Sequence, residues 1–251
     1  MGGKQMFHNW LIGNMGVRGE YMYQSIHIVS TMVVLAVVII TTLLGASKKI
    51  GTKAKRSILT GICWFQLAFE IGWRLIYLFV KKDSVLCWWP LYPCNVGGIL
   101  IPLFALLDCK TGKKMFYLFG FVGGCLTFAL PEGIFVSDVL VFPILKSILQ
   151  HTGLLMIPLF EYVSKTYRPT LKDMGWVVAG LVIHVINSEG ITRLLGFTGD
   201  YMFFRSGMPF VIPGVPQYIT LSVFAVAVLA LLSILSDPKS VFKSRKKNTV
   251  A

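Results

Sequence analysis

The sequence predicts an all-α polytopic membrane protein: seven transmembrane helices in one bundle, the N-terminus outside and the C-terminus cytoplasmic. Three observations carry this expectation. First, the 251 residues are 55% hydrophobic and 14% charged, with a mean hydropathy of +0.71, whereas a soluble domain carries roughly a quarter charged residues. Second, the apolar residues form continuous runs of the ~20 residues needed to cross about 30 Å of hydrocarbon, without the alternation of a membrane barrel. Third, Lys and Arg cluster between those runs, as they do in cytoplasmic loops. The same figures exclude a disordered chain, collagen, a coiled coil and a small disulfide scaffold. The net charge of +13 is thereby a topology signal, and no nucleic-acid partner is expected.

In chain order, the predicted spans are about 24–46, 57–80, 88–107, 114–130, 139–163, 174–195 and 216–235. The first is too long for a secretory h-region, and its basic cluster (Lys48 to Arg56) follows it, so it reads as an uncleaved helix. Trp88 and Trp89 open the third span as an interfacial belt. The fourth is the shortest. Sixteen of the 24 basic residues fall on one side: in the loops after the first, third (Lys110, Lys113, Lys114) and fifth spans, and in the C-terminal tail. Six fall on the other side, and Arg74 and Lys146 lie inside spans. The sequence contains no repeat, linker or phosphate-binding loop, so residues 1–251 are predicted to form a single integral membrane domain of the cell membrane. A retinal protein is excluded because the seventh span has no lysine.

An ionisable group inside a span costs several kcal/mol unless it is paired or reached by water, so each marks a candidate site. Glu70 and Arg74, four apart, share a helix face and can pair, either as glue between helices or as a site lining. Glu161 is expected to snorkel to the cytoplasmic end. Cys94, His151, His184 and Asn187 are the more informative group. At ~1.5 Å per residue they lie roughly 9, 18, 16 and 12 Å below the outer surface. A thiol, an imidazole and an amide at one level can act as nucleophile, base and orienting group in acyl transfer. The same residues can equally serve helix packing, because depth does not fix helix rotation.

The stretch Trp88-Trp89-Pro90-Leu91-Tyr92-Pro93-Cys94-Asn95, followed by Gly97-Gly98, is a second signal. Pro90 and Pro93 remove backbone donors and interrupt a helix. Carbonyls freed at membrane depth are tolerated only against protein or water. The stretch reads either as an opening to Cys94 or as a simple interfacial kink. No Cys-x-x-Cys or zinc spacing occurs, and no metal is expected. A Cys87–Cys94 disulfide would remove the nucleophile.

Pro90-Leu91-Tyr92-Pro93-Cys94 resembles the cysteine element of the YwaF-like integral membrane proteins, the bacterial relatives of transmembrane protein 164. Gly120 to Pro131, Phe142-Pro143, His151, Tyr167-Arg168-Pro169-Thr170, Asn187 and Gly199-Asp200-Tyr201-Met202 with Pro209 follow that family's order, over about residues 20–235. The resemblance implies a seven-helix acyltransferase that moves a fatty acyl chain between phospholipids through a cysteine thioester. By position, Cys94 is the implied nucleophile and His151 the implied general base and acid. His184, Asn187, Glu70, Arg74, Tyr92, Asn95 and Tyr201 support the site or line it. Tyr92 stands where the family usually has His, and Asp200 where it has Asn before Tyr201. Such transacylation needs no CoA or ATP, so no cofactor is expected. A membrane phospholipid is the expected partner, with no obligatory protein partner. The alternative is a small-molecule transporter or channel-like protein without catalysis, its polar path lined by Glu70, Arg74, Lys146, His151 and His184.

Overall fold

The apolar runs become helices, and a helix stands at each of the seven predicted positions. The computed structural model describes residues 2–80, 88–131, 133–202 and 212–238, with Tyr218 described by its backbone alone. The helices are α1 (Gly3–Ile12), α2 (Ser25–Ala46), α3 (Thr52–Val80), α4 (Pro93–Leu106), α5 (Lys110–Ala129), α6 (Phe142–Val163), α7 (Leu171–Leu194) and α8 (Gln217–Ser236). Among the described residues there is no strand; one isolated bridge joins Arg18 to Ser137. Among the described residues, four helices are long and apolar enough to cross a membrane: α2, α3, α7 and the Ile219–Ser236 part of α8. Helix α4 is apolar but has only 14 residues.

Helix α6 is the hub, packed against α1, α2, α3, α4 and α5, while α7 packs on α5 and α8. Glycines set the closeness of these contacts, as small residues do between membrane helices. A Cβ on Gly97 would stand 3.1 Å from Leu154 of α6, and one on Gly124 would stand 2.7 Å from Leu155. A Cβ on Gly180 of α7 would collide with the Met115 carbonyl of α5.

Helix ends follow local chemistry. Pro93 occupies the first turn of α4, where its missing N–H is no loss, after Tyr92 in extended conformation. Asp108 stops α4 in the left-handed region at φ 49°. Arg56 then donates to the carbonyls of Ala105 (3.1 Å) and Leu106 (2.9 Å), a cation on a helix C-terminus. Thr170 and Asp173 form a capping box that opens α7.

Three expectations are corrected. Helix α1 precedes the first predicted span and docks Trp10 on Phe142; its ten residues are too few for a span and carry no such signal. Helix α5 starts at Lys110 instead of 114, which carries Lys113 into the bundle instead of leaving it in a solvated loop. Lys113, 2% exposed, donates to Asp108 (2.5 Å) and Glu161 (2.9 Å). Glu161 does not snorkel. It is 1% exposed because a buried cation on the facing helix gives it a better partner than water several residues away. The basic residues Lys81, Lys82, Arg205 and those of the tail beyond 238, like Cys87 and Pro209, lie outside the described residues.

Candidate functional site

The site is built on one stripe of α3. Gln66, Glu70, Trp73 and Arg74 fall at helical spacing and all four are buried. Glu70 accepts from Gln66 Nε2 (3.3 Å), Trp73 Nε1 (2.9 Å) and Arg74 Nη1 (2.5 Å). Three donors on one carboxylate offset much of the cost of taking it out of water. Arg74 also donates to the Glu70 carbonyl at 2.7 Å, and its guanidinium lies 4.3 Å from the Trp73 ring centre. Glu70 and Arg74 therefore pair as predicted.

Helix α4 meets this stripe through Gly98, where a Cβ would stand 2.6 Å from Glu70 Oε1 and 3.0 Å from Gln150 Nε2. One turn earlier are Cys94 and Asn95. Cys94 is a free, half-buried thiol, 3.9 Å from Asn95 Oδ1. Helix α6 supplies the opposing groups. Gln150 Nε2 donates to Asn95 Oδ1 (3.0 Å) and to the Cys94 carbonyl (3.3 Å). Lys146 Nζ donates to Asn95 Oδ1 (3.4 Å) and Gln150 Oε1 (3.1 Å), and stands 4.2 Å from the Trp73 ring centre. His151, the next residue on α6, is buried and bonds the Ser147 carbonyl through Nδ1 at 2.8 Å. A carbonyl only accepts, so Nδ1 carries the proton and Nε2 keeps the lone pair.

The segment ahead of Cys94 is held by α7. Residues Ile186–Ile191 form a π turn, and its widened backbone brings Asn187 and Ser188 to the proline stretch. Asn187 Oδ1 accepts from Trp89 Nε1 (2.8 Å), Asn187 Nδ2 donates to the Pro90 carbonyl (2.7 Å), and Ser188 donates to the Leu91 carbonyl (3.3 Å). The carbonyls left unpaired by the broken helix thus find partners in protein. Tyr92 packs edge-on against Tyr201, ring centres 5.1 Å apart.

His184 does not join this group. It is buried against Phe119 (4.6 Å) and Phe116 (5.3 Å) of α5, and neither ring nitrogen has a hydrogen-bond partner among the described residues. An apolar cavity of about 230 Å³, lined by Tyr117, Phe121, Pro158, Tyr162, Tyr167 and Leu232, lies toward the other end of α6 from Lys146.

A sequence model of the TMEM164 family matches residues 22–235. The chain belongs to the TMEM164 family. No curated protein and no solved structure matches it. The TMEM164 region takes in α2 to α7 and all of α8 but its last residue, and leaves α1 outside. All the polar residues described above fall within it. Three members of this cluster were not among the predicted site residues, Gln66, Trp73 and Gln150, and Lys146 was expected only on the polar path of the alternative reading. A signal for them existed. Gln66 lies four before Glu70 and Lys146 four before Gln150, each pair sharing a helix face.

Proposed function

We propose that this TMEM164 family membrane protein is an acyltransferase of the cell membrane, crossing it seven times, that passes a fatty acyl chain between phospholipids through a Cys94 thioester. The supporting observation is a half-buried free thiol at the head of a proline-opened helix, bordered by a buried polar cluster from α3 and α6. A buried thiol in apolar surroundings is inert without a base. His151 Nε2, with its lone pair free, is that base in this reading.

The thiolate attacks the ester carbonyl carbon of a phospholipid while His151 holds the proton. The tetrahedral adduct collapses, the C–O bond breaks, and the departing lysophospholipid oxygen takes that proton. In the second half, the hydroxyl of another lysophospholipid gives its proton to His151 and attacks the thioester carbonyl. The C–S bond breaks and the thiolate returns. Asn187, through Trp89 and Pro90, fixes the approach to the thiol. Tyr92 and Tyr201 flank it.

Intact-mass spectrometry of purified protein incubated with phospholipid vesicles tests this. An acyl adduct removed by hydroxylamine and absent from Cys94→Ser is the expected result. His151→Ala is expected to slow adduct formation by about 10²–10⁴-fold, the usual worth of a general base. No adduct with any phospholipid, together with an unchanged cellular lipid profile in Cys94→Ser, overturns the reading.

A further inference from the structure

The cluster beside Cys94 contains one carboxylate, Glu70, and two cations, Arg74 and Lys146. Arg74 takes the carboxylate at 2.5 Å. Lys146 has no carboxylate partner among the described residues: its contacts are the amide oxygens of Asn95 and Gln150 and the face of Trp73. These groups orient an ammonium without cancelling its charge, and a partly buried charge with neutral partners attracts any anion that forms nearby. Asn95 Oδ1 touches both the Lys146 ammonium and the Cys94 sulfur, so a single atom separates them. A carboxylate in place of that amide would quench the lysine; the neutral amide leaves its charge available.

We propose that Lys146 is the charge partner of the Cys94 thiolate, holding the anion that appears when the thiol loses its proton. The catalytic meaning of this assignment rests on the acyl-transfer reading, but the assignment itself concerns the thiol alone. The other ionisable groups of this cluster are Glu70 and Arg74 from α3 and Tyr92 from the lead-in to α4; Tyr201 and Asp200 face Tyr92, and His151 follows Gln150 on α6. Lys146 is the cation among them not engaged by a carboxylate.

The experiment is iodoacetamide alkylation of the full-length protein from pH 6 to pH 10, quantified at Cys94 by peptide mass spectrometry. Only the thiolate reacts. Lys146→Met is expected to slow alkylation about tenfold at pH 8 and to move the profile about one pH unit upward, a unit being a tenfold change in thiolate. Lys146→Arg, which keeps the charge, is expected to retain the wild-type profile. A wild-type profile in Lys146→Met overturns the proposal. So does an equal upward shift in Lys146→Arg, which would mark the lysine as packing only. Should Lys146→Met fail to fold, Lys146→Gln replaces it, judged by the same two criteria. Failure of the acyl adduct with a shifted alkylation profile would count against the acyltransferase and leave this inference standing.

Discussion

Asn187 uses both ends of its amide on the segment ahead of the thiol, which makes it the most exacting side chain of the site. Asn187→Leu has nearly the same volume but strands the Trp89 N–H and the Pro90 carbonyl. Each stranded buried group costs about 1–3 kcal/mol, so a clear fall in Tm and slower Cys94 acylation are expected, measured by scanning fluorimetry and intact mass. Asn187→Asp keeps the acceptor for Trp89, loses the donor to Pro90, and should fall between. Gly98 is the second exacting position. Gly98→Ala places a methyl against the Glu70 carboxylate and the Gln150 amide, and overpacking of this kind costs about 1–3 kcal/mol. At this scale, Tyr92 and Tyr201 came from the family resemblance and the Glu70–Arg74 pair from its spacing, while residue type and depth singled out Cys94 and Asn187. Type and depth failed for His184. That residue shares the depth of the group, but its helix turns it onto the α5 aromatics, and rotation is fixed by packing between helices, which no single helix encodes. Lys146 was visible as a charge inside a span and Asn95 as the neighbour of Cys94, whereas Gln150 and Trp73 are neutral and gave no such signal.

At the scale of an element, the salt bridge between α5 and α6 is the sharpest test of how the bundle holds together. Lys113→Met leaves Glu161 buried without its cation, a loss of about 3–5 kcal/mol for a broken buried pair. The Lys113→Met/Glu161→Met double variant removes both charges and should recover most of that loss in a double-mutant cycle of Tm values. Asp108, on the exposed side of the same lysine, gives a pH signature. The Lys113 hydrogen bond and charge hold its carboxyl below the usual carboxylate range. A lowered folded-state value means its stabilising contribution is complete above the unfolded value of about 3.9 and is lost as pH falls through the lower folded one. Asp108→Asn should lower Tm slightly at pH 7–8, slightly because an exposed partner is worth little, and the difference from wild type should close as pH falls through the lowered Asp108 value. Helix positions were legible from hydropathy, and the start of α4 from its prolines. The start of α5 was not, since three lysines read as a loop until a buried acid on the facing helix explains one of them. The π turn was equally hidden: Ile186–Ile191 has ordinary helix composition, and its widening shows only in what Asn187 and Ser188 reach.

For the whole molecule, the question is how a helix as short as α4 takes part in a membrane bundle. Its 14 residues rise about 21 Å, well under the ~30 Å of hydrocarbon. Residues 88–92 extend α4 at the Cys94 end as an irregular segment whose Pro90 and Leu91 carbonyls accept from Asn187 and Ser188 of α7. Irregular backbone at membrane depth is permitted where protein covers it, so α4 and its clamped lead-in together can complete one crossing and hold the thiol below the outer surface. If they do, the chain crosses an odd number of times and its ends lie on opposite sides, with the richer basic loops inside. A green fluorescent protein fused after Ala251 should then fluoresce, and an epitope fused before Met1 should bind antibody on intact cells. Both ends inside would mean that one helix fails to cross, and α4 is the helix with the least length to spare. In that case Cys94 would sit in a re-entrant segment, and its lipid access would have to come from the inner leaflet.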